Sequence, residues 1–203
     1  MKLFVVFATI TGAIAACCCG GEGFDPMSEP TVAGPAAGPL ASIEAACEGG
    51  DGESCEKLGA MYDEGQGAPL DDGKALRLYT RACDMNFARG CTNAGVMYRD
   101  GEGVSTDAAR AAQLFDLACT GGNPMGCKNL GLLHFKGEGV AKNDAEALTR
   151  YTQACDMGLA VACHDAGVAW LAGEGVTPDS DKAKGFFTRA CSGGNSESCV
   201  YAN

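Results

Sequence analysis

The stretch Cys83-Asp84-Met85-Asn86-Phe87-Ala88-Arg89-Gly90-Cys91 places two cysteines eight positions apart, on either side of a short polar turn. The same spacing recurs in four further copies, and each copy starts 36 residues after the one before it, with no insertion. A constant period of this length is typical of a protein built from stacked repeats. The ten cysteines are Cys47 and Cys55, Cys83 and Cys91, Cys119 and Cys127, Cys155 and Cys163, and Cys191 and Cys199.

Glycines and bulky rings recur at fixed positions between the cysteine pairs. A glycine inside a helix costs about 1 kcal/mol relative to alanine, so a recurring one indicates that a neighbouring helix approaches closely. Three positions later a bulky side chain is predicted to fill the next layer, and a Gly-x-Gly turn then ends the helix. The glycines are Gly59, Gly95, Gly131 and Gly167; the bulky residues are Tyr62, Tyr98, His134 and Trp170; the turns begin at Gly65, Gly101, Gly137 and Gly173.

An aspartate or asparagine after each turn predicts the N-cap of another helix. Inside that helix an alanine, an aromatic residue four positions later and an alanine three positions beyond that share one face. The caps are Asp71, Asp107, Asn143 and Asp179, and the faces are Ala75, Tyr79 and Ala82; Ala111, Phe115 and Ala118; Ala147, Tyr151 and Ala154; and Ala183, Phe187 and Ala190.

These patterns predict an all-α protein, an α/α array of five 36-residue helix-turn-helix repeats with one disulfide per repeat. The first helix carries its cysteine near its C-terminus and the second near its start, so a short turn brings the pair within reach of a disulfide. Each bridge would stabilise the fold by roughly 2–3 kcal/mol in the chain-entropy model. Zinc sites usually space their cysteines as C-x₂₋₄-C, which these pairs do not match.

Composition restricts the classes of partner and compartment. The chain has 203 residues, a hydrophobic fraction of 46% and a net charge of −11. That charge argues against nucleic acid or an anionic membrane surface as a general partner. Thirteen cysteines are too many for a reducing compartment unless they bind metal or do redox work, so we expect an exported protein, either secreted or in the cell envelope.

The N-terminus is typical of an export signal. Residues 1–16 combine Lys2, an apolar run too short to span a bilayer and small residues suited to cleavage. The tetrapeptide Ile14-Ala15-Ala16-Cys17 resembles a bacterial lipobox, which predicts lipidation of Cys17 and an envelope lipoprotein in the periplasm or outer membrane. The alternative is ordinary cleavage near Ala15. Residues 17–39 are rich in Gly, Pro and Ala and predict a flexible tether, and residues 40–203 form the repeat domain.

The 36-residue αα repeat, with its recurring Ala and Gly-x-Gly positions and its Cys-x₇-Cys spacing, resembles the Sel-one-like repeats. The version with one disulfide per repeat is similar to the Helicobacter cysteine-rich protein family. This resemblance covers about residues 40–203 and implies a right-handed solenoid, a superhelix related to tetratricopeptide repeats. It also implies secretion and the binding of proteins or peptides. Some members are described as penicillin-binding proteins with weak β-lactamase activity, which is the alternative function.

The residues do not support a catalytic site. Ser54-Cys55-Glu56-Lys57 matches the Ser-x-x-Lys pattern of serine β-lactamases, but no Lys-Thr-Gly exists in the chain. Of the two histidines, His134 takes a position held elsewhere by an aromatic ring, and His164 is expected to be exposed at a helix start. We therefore predict no catalytic residue, no metal ligand and no cofactor.

A basic stripe is the remaining surface signal. On the helices that carry the Ala/aromatic face, six of the twelve positions opposite that face are basic and one is acidic. If these are the first helices of the repeats, they would line the concave groove and suit a peptide carboxylate or acidic side chains. The alternative is that the cations are solvated or complement helix C-termini. We expect a monomer that binds a protein or peptide, and the predicted groove residues are Lys74, Arg77, Arg81, Arg110, Gln113, Gln153, Lys182 and Arg189.

Overall fold

The described part of the chain, residues 38–202 of a computed structural model, is a succession of α-helices of nearly equal length. Nine α-helices are followed by a single 3-10 turn in these residues, which contain no strand. The helices are α1 (Pro39–Glu48), α2 (Gly52–Glu64), α3 (Asp72–Asp84), α4 (Ala88–Asp100), α5 (Ala108–Thr120), α6 (Pro124–Lys136), α7 (Asp144–Asp156), α8 (Ala160–Ala172) and α9 (Ser180–Ser192), and the 3-10 turn is Glu197–Val200.

Two kinds of connection alternate along the chain, and the sequence signals for both are confirmed. The longer loops follow α2, α4, α6 and α8, which each end at a glycine in the left-handed region, such as Gly101 with φ 81°. The next helix then begins at its predicted cap. Asp107, for example, accepts a hydrogen bond from the backbone N–H of Arg110 at 2.9 Å. Short turns join the other pairs of helices, such as α3 and α4.

The core is built from the repeated glycine, alanine and aromatic positions. The ring of Phe115 is fully buried and lies so close to Gly95 that a Cβ added there would be 2.6 Å from its Cε1 atom. The same contact recurs between Gly59 and Tyr79, and in both later repeats. The recurring glycine is therefore explained by close approach, as predicted, and the neighbour that requires it is an aromatic ring of the following helix.

Five disulfides connect successive helices at the short turns. Their Cα–Cα distances lie between 4.5 and 4.8 Å, and eight of the ten cysteines are buried. Cys83 in α3 joins Cys91 in α4, for example. The predicted fold class, a repeated all-α array with one disulfide per repeat, is confirmed.

Two boundaries differ from the sequence prediction. Helix α1 begins at Pro39, which the prediction assigned to the tether, because proline is well suited to the first turn of a helix. The last cysteine, Cys199, lies in a 3-10 turn and not in a full second helix. The predicted signal peptide (residues 1–16), Cys17 and the tether up to residue 37 lie outside the described residues. None of the described helices has the length and hydropathy needed to cross a bilayer.

Candidate binding surface

The predicted basic stripe lies on α3, α5, α7 and α9, and most of its cations already have partners within the chain. Lys74 Nζ donates to the Tyr62 hydroxyl and lies 3.7 Å from Glu44 Oε1. Arg81 Nη2 donates to the carbonyl of Glu48, the last residue of α1, at 3.2 Å. This contact is the interaction with a helix C-terminus that the alternative interpretation expects.

The remaining members of the stripe divide into partnered and unpartnered side chains. Arg189 Nη2 donates to Asp156 Oδ1 at 2.8 Å, and Arg110 Nη1 donates to Gln113 Oε1 at 3.3 Å. Lys182 Nζ lies 3.6 Å from Asp179 Oδ2 and 4.1 Å from the centre of the Trp170 ring. Arg77 and Gln153 make no side-chain hydrogen bond or ion pair with any described residue. The contacts of Lys74, Arg81, Lys182 and Arg189 reach other helices, whereas Arg110 and Gln113 meet within α5. A ligand role for the stripe stays a prediction.

The other set of helices presents a surface that the sequence analysis did not single out. We name the exposed side of α4, α6 and α8 the first-helix face. It carries Met125 at the start of α6 and Val161, Val168 and Leu171 on α8, of which Val168 is 41% and Leu171 51% exposed. Exposed apolar side chains of this size in a cluster indicate an interaction surface more often than single ones do.

A signal for this face was present in the sequence. One position of the repeat reads Ala60, Val96, Leu132 and Val168 along the chain, so its side chain is apolar in every copy and larger in the last three. The position three residues further on changes from charged, in Asp63 and Arg99, to apolar, in Phe135 and Leu171. In the sequence alone, this apolar pattern looks the same as that of a buried helix face. Only the structure shows that these positions lie at the surface.

A cavity of about 310 Å³ opens on this face between α6, α7 and α8. Its apolar walls are Leu132, Phe135 and Val168. Its polar groups include Tyr151 from α7 and Asp165 from α8. The turn that follows α8 contributes Glu174.

The hydroxyl of Tyr151 has no hydrogen-bond partner among the described residues, although the residue is only 6% exposed. Two repeats earlier, Tyr79 occupies the same position and its hydroxyl donates to Asp63 Oδ2 at 3.2 Å. In the repeat of Tyr151, Phe135 stands at the position of Asp63 and offers no acceptor. Burial is the main reason why the pKa of Tyr151 is raised, with the charges of Asp165 and Glu174 next, so the hydroxyl stays protonated.

The carboxylate of Asp165 is also without a hydrogen bond or ion pair to any described residue. Burial in the cavity raises its pKa above the usual value, while Lys128 and then His164 act in the opposite direction. Lys128 lines the same cavity but forms no ion pair with Asp165. The site therefore holds a partly desolvated carboxylate and a phenol that lack partners.

The two histidines differ from each other in their surroundings. His164 was expected to be exposed, and that prediction is wrong, because the C-terminal 3-10 turn covers it. Its Nδ1 lies 2.8 Å from the Oγ of the fully buried Ser198, and its ring lies 5.6 Å from that of Phe187. His134 is half-buried, as expected of a packed ring, and its buried Nδ1 has no partner in the described residues.

Ser54 and Lys57, which match the Ser-x-x-Lys pattern, each contact another side chain and not one another. The Ser54 hydroxyl donates to Asp51, which caps α2, and Lys57 Nζ lies 2.7 Å from Glu53 Oε1. Lys57 thus forms an exposed ion pair with Glu53, and no hydrogen bond joins it to Ser54. Within residues 38–202, no group of three or more His, Cys, Asp or Glu side chains is arranged to hold a metal ion.

Comparison with solved structures supports the fold. The chain is 29% identical to c5321, a protective antigen present in uropathogenic Escherichia coli strains that displays an SLR fold, with a TM-score of 0.75 over 79% of this chain and 34% of that one. It is 28% identical to Helicobacter pylori cysteine rich protein B, with a TM-score of 0.50 over 62% and 95% of the two chains.

A third likeness, to a Sel1 repeat protein from Oxalobacter formigenes, is at 23% identity and shows the fold alone. Its TM-score is 0.72, over 78% of this chain and 63% of that one. The chain therefore spans about a third of the antigen and less than two thirds of the Oxalobacter protein. Among proteins of curated function, none matches this chain at a significant level.

The Sel1 repeat model matches residues 52–87, 88–123, 124–159 and 160–195, which is well over half of the chain. Each matched unit begins with α2, α4, α6 or α8, so the basic stripe lies on the second helices of the units. The groove prediction treats the helices of the basic stripe as the first helices of the repeats. With the unit boundaries of the Sel1 repeat model, that premise is wrong. Each internal disulfide joins the second helix of one unit to the first helix of the next. With four successive units in register, this chain belongs to the Sel1-repeat family.

Proposed function

We propose that this chain is an exported, lipid-anchored scaffold that binds a protein or peptide on its first-helix face. The observation that carries the proposal is the set of exposed apolar side chains on α6 and α8, which includes Val168 and Leu171, together with an open cavity that Val168 lines. Sel1 repeats are generally protein-interaction modules, which supports the same class of function.

The concave side of the array is the surface we propose for binding. In tetratricopeptide-like solenoids the first helices of the units line that side. Helix α2 contacts α4 directly, and α4 contacts α6, while α6 and α8 contact each other less. Contact between successive first helices fits the closer spacing of helices on the inside of a curved stack. Side chains from successive units would therefore face one extended ligand together.

Rigidity is the physical mechanism by which such a scaffold gains affinity. A partner that binds an already ordered surface does not have to order it, so less conformational entropy is lost on association. The disulfides between consecutive units restrict the movement of one unit against the next. The ligand would be recognised by a surface whose shape exists before binding.

Export and lipid attachment are argued from the cysteines and from the N-terminal sequence. Five disulfides favour an oxidising compartment. Residues 14–17 resemble a lipobox with Cys17 as the modified residue. Metabolic labelling with radioactive palmitate of cells that express the full chain should mark the mature protein, and Cys17→Ser should abolish the label. Label retained in that variant would contradict lipidation at Cys17.

The binding proposal is tested with matched surface variants of the full chain, cross-linked in intact cell envelopes and analysed by quantitative mass spectrometry. Val168→Asp combined with Leu171→Asp places two charges on the first-helix face. The control combines Leu70→Asp with Leu117→Asp, two side chains that are more exposed than these and lie off the face.

We expect at least one partner that the control variant retains and that the first-helix variant loses by tenfold or more. Partners retained equally by both variants would contradict binding on this face, and so would the absence of any partner for the unaltered chain. Circular dichroism spectra of the variants show whether each remains folded.

A further inference from the structure

The cavity between α6, α7 and α8 differs from the equivalent places in the earlier units. Two units before Asp165 the same position is Asn93, whose Nδ2 donates to Glu56 Oε1 at 3.1 Å. In the unit of the cavity these positions hold Asp165 and Lys128, which do not meet in an ion pair. The hydrogen-bonded amide of Asn93 thus corresponds, in the later unit, to the carboxylate of Asp165, which has no hydrogen bond or ion pair with the described residues.

The chemistry of the cavity favours a cationic side chain with an aliphatic stem. Its walls, Leu132, Phe135 and Val168, can contact methylene groups. The cavity is lined by two carboxylates, Asp165 and Glu174, by one lysine, Lys128, and by the ring of His164, so the acidic groups outnumber the lysine. An ionised carboxylate in a partly desolvated place is stabilised by a cation that brings hydrogen-bond donors.

The unpartnered hydroxyl of Tyr151 supplies a second, independent indication of a ligand. The residue is more than nine-tenths buried, lines the cavity and has no partner among the described side chains or backbone. The ring is buried, while the hydroxyl is not among the fully buried polar atoms of the described residues, so a group bound in the cavity can reach it. A guanidinium or ammonium group placed between Tyr151 and Asp165 could donate to both oxygens.

We propose that this cavity binds the arginine or lysine side chain of an extended partner peptide, whose neighbouring apolar residues lie against Val168 and Leu171. This inference rests on the proposed function, since it names the class of ligand for the same face. It differs from the acidic ligand expected from the basic stripe, because the cations of that stripe lie on the other set of helices and are mostly paired.

A displayed library of random heptapeptides, selected on the purified full chain, tests the inference directly. We expect enriched peptides to share an arginine or lysine next to apolar residues. An enriched peptide is then synthesised with that basic residue, and again with citrulline in place of arginine or norleucine in place of lysine. The neutral peptide should bind at least tenfold more weakly in fluorescence anisotropy.

Variants of the protein locate the interaction. Asp165→Asn should weaken binding of the basic peptide by tenfold or more and leave binding of the neutral peptide unchanged. The matched control is Asp84→Asn, an exposed aspartate at the end of α3 whose side chain forms no hydrogen bond or ion pair with the described residues, and it should bind as the unaltered chain does.

The outcomes separate this inference from the proposed function. Enriched peptides that lack a basic residue, and whose binding is lost in Val168→Asp, would overturn the cavity assignment and leave the first-helix face as the binding surface. Basic peptides that bind Asp165→Asn as tightly as the unaltered chain would also overturn it. If no enriched peptide depends on Val168 for its binding, the result would contradict both the cavity assignment and the proposal that the first-helix face is the binding surface.

Discussion

At the scale of single residues, the helical glycine that faces an aromatic ring has no room for a side chain. A Cβ at Gly95 would lie 2.6 Å from Cε1 of the fully buried Phe115. Because the ring has no room to move in the core, Gly95→Ala should destabilise the protein by about 1–3 kcal/mol, measured by chemical denaturation.

The control for this change is Gly185→Ala, also in the middle of a helix. Nothing lies within 4 Å of a Cβ added at Gly185. The better helix propensity of alanine should therefore stabilise the protein by about 0.5–1 kcal/mol. Equal effects of the two substitutions would show that close approach to Phe115 is not the reason for the glycine.

Asp165 gives a pH-dependent prediction at the same scale. Burial raises its pKa in the folded state above the ordinary value of 3.8, although Lys128 and then His164 partly oppose this. The folded state therefore binds more protons than the unfolded state just above pH 3.8, and this group lowers stability as pH rises through that window. Asp165→Asn should raise the melting temperature at pH 7 and have little effect below about pH 3.8.

Melting curves of the variant and the unaltered chain between pH 3 and pH 8 measure this difference. A melting temperature that falls at pH 7 would mean that the carboxylate has a stabilising partner in the fold. A rise, together with weaker peptide binding, would show that Asp165 is kept at a cost in stability, which is the pattern expected of a binding residue.

At the scale of helices, side-chain caps fix where the second helices begin. Asp107 accepts a hydrogen bond from the backbone N–H of Arg110 at 2.9 Å at the start of α5. Removing it in Asp107→Ala should lower the free energy of unfolding by about 0.5–2 kcal/mol. Asp107→Asn keeps an acceptor oxygen and should lose much less. A similar loss in both variants would point to the charge and not to the cap.

At the scale of the whole molecule, the effect of a disulfide should depend on where it lies in the array. Every bridge closes a loop of the same length, so the chain-entropy model gives each about 2–3 kcal/mol. In a linear array, however, units in the middle have neighbours on both sides, and a unit at the end has one. Loss of a central bridge should weaken the main unfolding transition.

The comparison is between Cys119→Ala with Cys127→Ala and Cys191→Ala with Cys199→Ala. The central variant should lower the main melting temperature by about 5–10 °C. The terminal variant should leave that transition nearly unchanged and increase hydrogen exchange in α9 alone. Equal shifts from both would indicate that the array unfolds as one cooperative unit.

The sequence by itself determined the repeated architecture of this protein, because the signals for it are local. The 36-residue period, the caps such as Asp107, the C-terminal glycines such as Gly101 and the pairing of Cys83 with Cys91 depend on residues near one another in the chain. The need for glycine at Gly95 was also predicted. The ring that imposes it was not, because Phe115 belongs to the next helix.

Only the tertiary structure decided what the surfaces do. Arg81 meets Glu48 across 33 positions, and the 3-10 turn covers His164, so neither environment follows from the local pattern. The cavity likewise depends on Tyr151, Asp165 and Phe135, which lie on three different helices. Each position looks ordinary in its own repeat. The physical reason is that the 36-residue period fixes which layer of the array a residue lies in. The partners of its side chain depend on the residues of the neighbouring layers, and these differ from one repeat to the next.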